Sequence, residues 1–87
     1  MNQSEVLASL KGFISREILD GKDIGLDGST PLLEWGIINS MEMARLVSFI
    51  HDRFGVEVPG DRITIEYFKD LDSITGLVLE LAPAEAD

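Results

Sequence analysis

Apolar residues recur at helical spacing in three stretches of this chain, separated by segments rich in glycine, aspartate and serine. From Gln3 to Leu19, the residues Leu7, Leu10, Ile14 and Ile18 repeat at intervals of three and four, with Val6 and Phe13 flanking the stripe. This predicts a first helix over 3–19, stopped by Gly21. A second stripe, Met43, Leu46, Val47, Ile50 and Phe54, predicts a helix from Ser40 to Phe54 that Gly55 closes. Asn39 occupies its N-cap, and Glu42 at the third helical position completes the pattern of a capping box. A final helix is expected to begin near Asp72, with Leu71, Ile74, Leu77, Val78 and Leu81 on one face.

The connections carry less pattern. Residues 22–39 form a connection long enough that some structure within it is expected. Thr30 suits a cap, Pro31 a first helical position and Gly36 a stop, so one short turn is expected there. Leu32, Leu33 and Trp35 would pin this loop to the core. A second short turn is expected from Thr64 to Phe68, with Thr64 capping it. "VEVP" is too short for a strand and ends in proline. The expected fold is therefore all-α: three main helices, one or two short ones and a long first loop. The 87 residues suit one domain, with an ordered core over about 3–82 and a short tail over 83–87.

Composition narrows the function. Hydrophobic residues make up 45% of the chain, enough for a packed core and too many for a disordered segment. Without cysteine, the chain has neither disulfides nor a thiolate metal site. Sixteen acidic against seven basic residues give a formal charge of −9. That balance opposes binding to nucleic acid and to anionic membranes. It favours docking onto basic partner surfaces, although solubility alone would also account for it. No signal peptide and no apolar run of membrane-spanning length is visible, so a cytoplasmic protein, most simply a monomer, is expected.

Catalytic chemistry finds little support. Ser40, His51 and Asp52 are the residue types of a hydrolase triad, yet Ser40 and His51 lie roughly 16 Å apart along one helix. A nucleophile and its base must approach to about 3 Å. "DGKDIGLDG", Asp20 to Gly28, has the rhythm of a calcium loop, but the twelfth position holds Pro31 in place of glutamate. What remains is the Ser40 hydroxyl at a helix start. A group there can face solvent, and free N–H groups with the helix dipole would favour a phosphate attached to it. Taken alone, Asn39-Ser40 is also an ordinary first turn.

The wider context adds to this. "PLLEWGIINSMEMARLVSFIHDRFGVEVP" resembles the carrier-protein family, whose members bear 4′-phosphopantetheine on a serine. Leu33, Gly36, Ile37, Ile38, Ser40, Met41, Leu46, Phe54, Gly55, Val56, Val58 and Pro59 fall in register with the family pattern. "ITIEYFKDLDSITGLV" is similar to its short third helix and closing helix. The resemblance implies a non-catalytic carrier, covalent 4′-phosphopantetheine on Ser40 and a phosphopantetheinyl transferase as partner. The family's usual aspartate before the serine is here Asn39, an equally good cap that lacks the charge.

Within the family, "TPLLEWGIINSMEM" and "RITIEYFKDL" look like free-standing peptidyl carriers of prolyl and pyrrolyl groups in pyrrole-2-carboxylate formation. That resemblance implies an adenylating enzyme for proline, a flavin oxidase of the acyl-CoA dehydrogenase type and a downstream acyltransferase or condensing enzyme. D-alanyl or other acyl carriers, and an unmodified helical interaction module, are the alternatives. The expected recognition residues are Asn39, Met41, Glu42, Arg45 and Trp35; for Trp35, a plug that anchors the long loop is the favoured reading and a partner contact near the arm the alternative. On the second helix Met41, Glu42, Arg45, Ser48 and Asp52 are expected to point outward.

Overall fold

The computed structural model describes residues 2–22 and 24–82. Helix α1 (Gln3–Phe13) is capped by Asn2, whose side chain accepts from the Glu5 N–H at 2.9 Å. The expected continuous helix to Leu19 does not form. Instead, Ile14–Ile18 make a wider π-helical turn, in which the Leu19 N–H reaches the Ile14 carbonyl at 2.9 Å. Ile18 and Leu19, at the end of this wider turn, are both half-buried against the core. The inward stripe is accordingly Val6, Leu10 and Ile14, with Leu7, Phe13 and Ile18 at its margins. Asp20 and Gly21, with φ of 56° and 81°, then turn the chain away through the left-handed region.

Helix α2 (Ser40–Phe54) ends at Gly55, whose φ of 69° reverses the chain. Leu46 and Ile50 are fully buried, while Met43, Val47 and Phe54 are half-buried on the same side. Val56 and Val58 follow outside any helix, both buried, with Glu57 between them exposed. A 3₁₀ turn (Gly60–Arg62), helix α3 (Ile65–Phe68) and helix α4 (Leu71–Leu81) complete the bundle. Asp70 caps α4 by accepting from the Ser73 N–H at 2.8 Å. Arg62 ties the 3₁₀ turn to α4 through Glu80 at 2.8 Å and lies 5.3 Å above the Tyr67 ring.

The long loop is structured by its own packing. Leu26, Leu32 and Ile38 are buried, and each such side chain is worth about 1.5–3 kcal/mol. Backbone bonds add anchors: Leu32 N–H to the Lys69 carbonyl at 2.8 Å, and Asp72 N–H to the Gly28 carbonyl at 2.9 Å. The expected turn after Pro31 is present, with Trp35 N–H on the Pro31 carbonyl at 3.1 Å and Gly36 at φ 71°.

Two expected caps are not made by their hydroxyls. Thr30 is buried and turned back on Asp27, accepting from its N–H at 2.9 Å. Thr64 precedes α3 as expected, but its hydroxyl is buried without a hydrogen-bond partner among the described residues. Thr30 is thus taken by a reciprocal bond to Asp27, whose carboxylate its hydroxyl also reaches at 3.2 Å, whereas Thr64 is turned inward. The tail expected over 83–87 lies outside the described residues.

Candidate functional site

The head of α2 is organised by a reciprocal capping box. Asn39 Oδ1 accepts from the N–H groups of Met41 at 2.9 Å and Glu42 at 3.1 Å. Glu42 Oε1 accepts in return from the Asn39 N–H at 2.9 Å. Ser40 stands between them as the first residue of the helix, exposed, its hydroxyl without a hydrogen-bond partner among the described residues. The free N–H groups expected beside Ser40 are thus corrected in part: Asn39 already takes those of Met41 and Glu42. An anion on Ser40 would still meet the positive end of the helix dipole.

The outward face of α2 follows the expected pattern. Met41 is 74% exposed, and Arg45, Ser48 and Asp52 are exposed, whereas Glu42 is half-buried by its role in the box. Arg45 is not a free cation: it reaches Glu17 on the π-helical turn at 3.6 Å and lies 5.8 Å above the Phe13 ring. Both partners are about half exposed, so the pair contributes little stability and chiefly orients the guanidinium.

Trp35 corrects one expectation. It is 64% exposed and does not plug the loop. The turn after Pro31 sends Leu32 and Ile38 inward and leaves the indole outward. Ile65, the first residue of α3, is likewise 70% exposed. It borders a cleft shared with Leu33 and Glu34 of the Trp35 turn. Nothing in the sequence marks Ile65, which reads there as one more apolar position of a short helix.

The structure does not assemble the triad residue types. Ser40 opens α2, while His51 and Asp52 lie three turns on and exposed, 3.6 Å from each other. Among the described residues no group of three or more His, Cys, Asp or Glu is placed to hold a metal. In the calcium-like segment, Asp27 serves a turn. Its carboxylate accepts from the Ser29 N–H at 2.8 Å and hydroxyl at 3.0 Å, and from the Thr30 hydroxyl at 3.2 Å. These bonds, the Ser29 N–H foremost, hold the Asp27 pKa below its ordinary value. No helix among the described residues is long and apolar enough to cross a membrane.

A small all-α bundle that presents an exposed serine at the capped head of its second main helix has the architecture of a carrier domain. No family model matches the chain. The chain is 32% identical over 74 residues to the probable acyl carrier protein PigG of Serratia sp. (strain ATCC 39006), covering 85% of each protein. Among solved structures it is similar to a chain of "Crystal structure of FAD-dependent dehydrogenase", with a TM-score of 0.75 and 36% identity, covering 80% of this chain and 99% of that one. The chain belongs to the acyl carrier protein family.

Proposed function

We propose that this protein carries an aminoacyl group, L-prolyl and then pyrrolyl-2-carboxyl, as a thioester on 4′-phosphopantetheine joined to Ser40 Oγ. The observation that carries the assignment is the Ser40 hydroxyl itself, exposed at the first position of α2 and unengaged among the described residues. When bound, the prosthetic group supplies a thiol on a flexible arm, which holds the acyl group in activated form. The chain supplies the anchor. Asn39 and Glu42 hold the first turn rigid, so the attachment point is fixed while the arm remains free. The dipole of the fifteen-residue α2 favours the phosphodiester's charge. Exposed Met41, Trp35 and Ile65 offer apolar contact to several enzymes in turn, and a methionine adapts well to different partners.

A flavin-dependent dehydrogenase as partner is supported by the second similarity. The matched chain in that structure is shorter than this one, since 80% of these 87 residues covers 99% of it. An oxidation of this kind suits a prolyl ring, which loses hydrogens to become pyrrolyl.

The test is the intact mass after incubation with coenzyme A, magnesium and a broad-specificity phosphopantetheinyl transferase. A gain of one phosphopantetheine, absent from Ser40→Ala, is expected. No gain by a folded protein, even with Asn39→Asp, would overturn the carrier assignment. The pantetheinylated protein is then offered to prolyl- and D-alanyl-adenylating enzymes. Loading by the prolyl enzyme, followed by hydrogen loss with the flavin enzyme, is expected; loading by the D-alanyl enzyme alone would overturn the cargo and leave the carrier role intact.

A further inference from the structure

Away from Ser40, a cleft runs between α1 and α2. The closest backbone approach of α1 is to α4 and not to α2. Large aromatic rings fill the wider gap: Phe13 stacks on Phe49 with centroids 4.5 Å apart, and Phe49 meets Phe54 edge-on at 6.1 Å. Above these rings the helices leave three adjoining hollows. The first, about 520 Å³, lies between Glu5 and Phe54. The second, about 320 Å³, shares Ala8, Ser9 and Arg53 with it, and the third shares Phe49 with the second.

The charge of this cleft opposes that of the molecule. Three of the chain's four arginines, Arg16, Arg45 and Arg53, line it, although the chain as a whole carries −9. Arg45 is engaged with Glu17. Arg16 and Arg53 have no carboxylate within 4.0 Å among the described residues. Both are seated by neighbours: Arg53 lies 5.5 Å over the Phe54 ring, and Arg16 folds across Gly12, where an added Cβ would meet its Nη1 at 2.9 Å. The middle hollow, where both arginines flank Phe49, has no acidic residue in its lining. Glu5 and Asp52 lie in the outer hollows.

We propose that the α1/α2 cleft is a second docking surface, separate from the head of α2, and that it takes an acidic segment of a partner protein with an aromatic side chain between its carboxylates. The carboxylates would pair with Arg16 and Arg53, and the aromatic side chain would lie on Phe49 over the low floor of Ala8 and Ser9, beside the guanidinium that covers Gly12. The lined stretch of α1, from Glu5 to Phe13, is roughly 12 Å long. That matches about four extended residues and exceeds a single small anion. The acids elsewhere do not prevent this, because charges beyond about 8 Å are largely screened at physiological ionic strength. The surface is independent of what Ser40 carries.

The test titrates ¹⁵N-labelled protein at physiological salt with the blocked peptide Asp-Glu-Phe-Asp-Glu. Saturable amide shifts are expected over residues 8–16 and 45–54, with Ser40 and Met41 unmoved. The double variant Arg16→Glu/Arg53→Glu, with an unchanged circular dichroism spectrum, is expected to bind at least about tenfold more weakly. Should the reversal not fold, Arg16→Gln/Arg53→Gln is expected to weaken binding in the same direction. No saturable shift, shifts centred on Trp35, Met41 and Ile65, or unaltered binding by a folded double variant would overturn the proposal. So would shifts of these same residues on simple dilution, which would make a second copy the occupant.

Discussion

Asn39 and Glu42 each accept a backbone hydrogen bond from the other, at 3.1 and 2.9 Å, and so enclose the turn from which Ser40 projects. Removing the Asn39 side chain with Asn39→Ala frees the N–H groups of Met41 and Glu42 and should cost about 0.5–2 kcal/mol. In a domain of this size each kcal/mol lowers Tm by roughly 4–8 °C. Asn39→Asp retains the acceptor and should melt close to the parent. Thermal unfolding followed by circular dichroism checks both, and equal melting of the alanine variant would count against the box.

Trp35 is expected to bear on recognition and not on stability. Because the indole is largely in solvent, Trp35→Ala should change stability by no more than about 0.5 kcal/mol. The rate at which partner enzymes modify or load the protein should fall. Melting and loading measured on the same preparation separate the two effects. A large fall in Tm would restore the plug reading.

Thr75 is 1% exposed in α4, and its hydroxyl has no hydrogen-bond partner among the described residues. An unsatisfied buried hydroxyl costs about 1–3 kcal/mol, and valine offers nearly the same shape without it. Thr75→Val is therefore expected to stabilise the fold by about 1 kcal/mol, seen as a higher denaturant midpoint with an unchanged slope.

Asp27 makes a pH-dependent contribution. Its folded pKa lies below the ordinary 3.8, held down first by the Ser29 N–H and then by the Ser29 and Thr30 hydroxyls. The stability it adds is present above the unfolded value and is lost as pH falls through the folded one. Asp27→Asn should thus melt below the parent by a constant margin from neutrality to about pH 5, and the margin should shrink under more acid conditions. A margin that grew on acidification would contradict the sign of the shift.

Legibility in the sequence followed the range of the interaction. Helix α2 and its capping box were readable because Asn39, Glu42 and Gly55 act on backbone groups within a few residues. The face of α4 was readable from Leu71, Ile74, Leu77 and Val78, all of which are buried. Thr30 and Thr64 are ambiguous in the sequence because the same hydroxyl suits a cap, a turn partner or an inward rotamer: Asp27 takes that of Thr30, and that of Thr64 is buried. The π-helical turn is hidden because the bond from the Leu19 N–H to the Ile14 carbonyl leaves no mark in the apolar spacing of Leu7, Leu10, Ile14 and Ile18.

The sequence by itself determined that the chain is helical, where α2 starts and stops, and that a serine stands at its capped head. Those features rest on hydrogen bonds and apolar spacing between near neighbours. Only the tertiary structure decided that Trp35 and Ile65 face solvent, that Arg45 is held by Glu17 and that Arg16 and Arg53 find no carboxylate among the described residues along an aromatic cleft. Each of these depends on how far apart α1, α2 and the long loop come to rest, and that distance is set by the volume of the side chains packed between them.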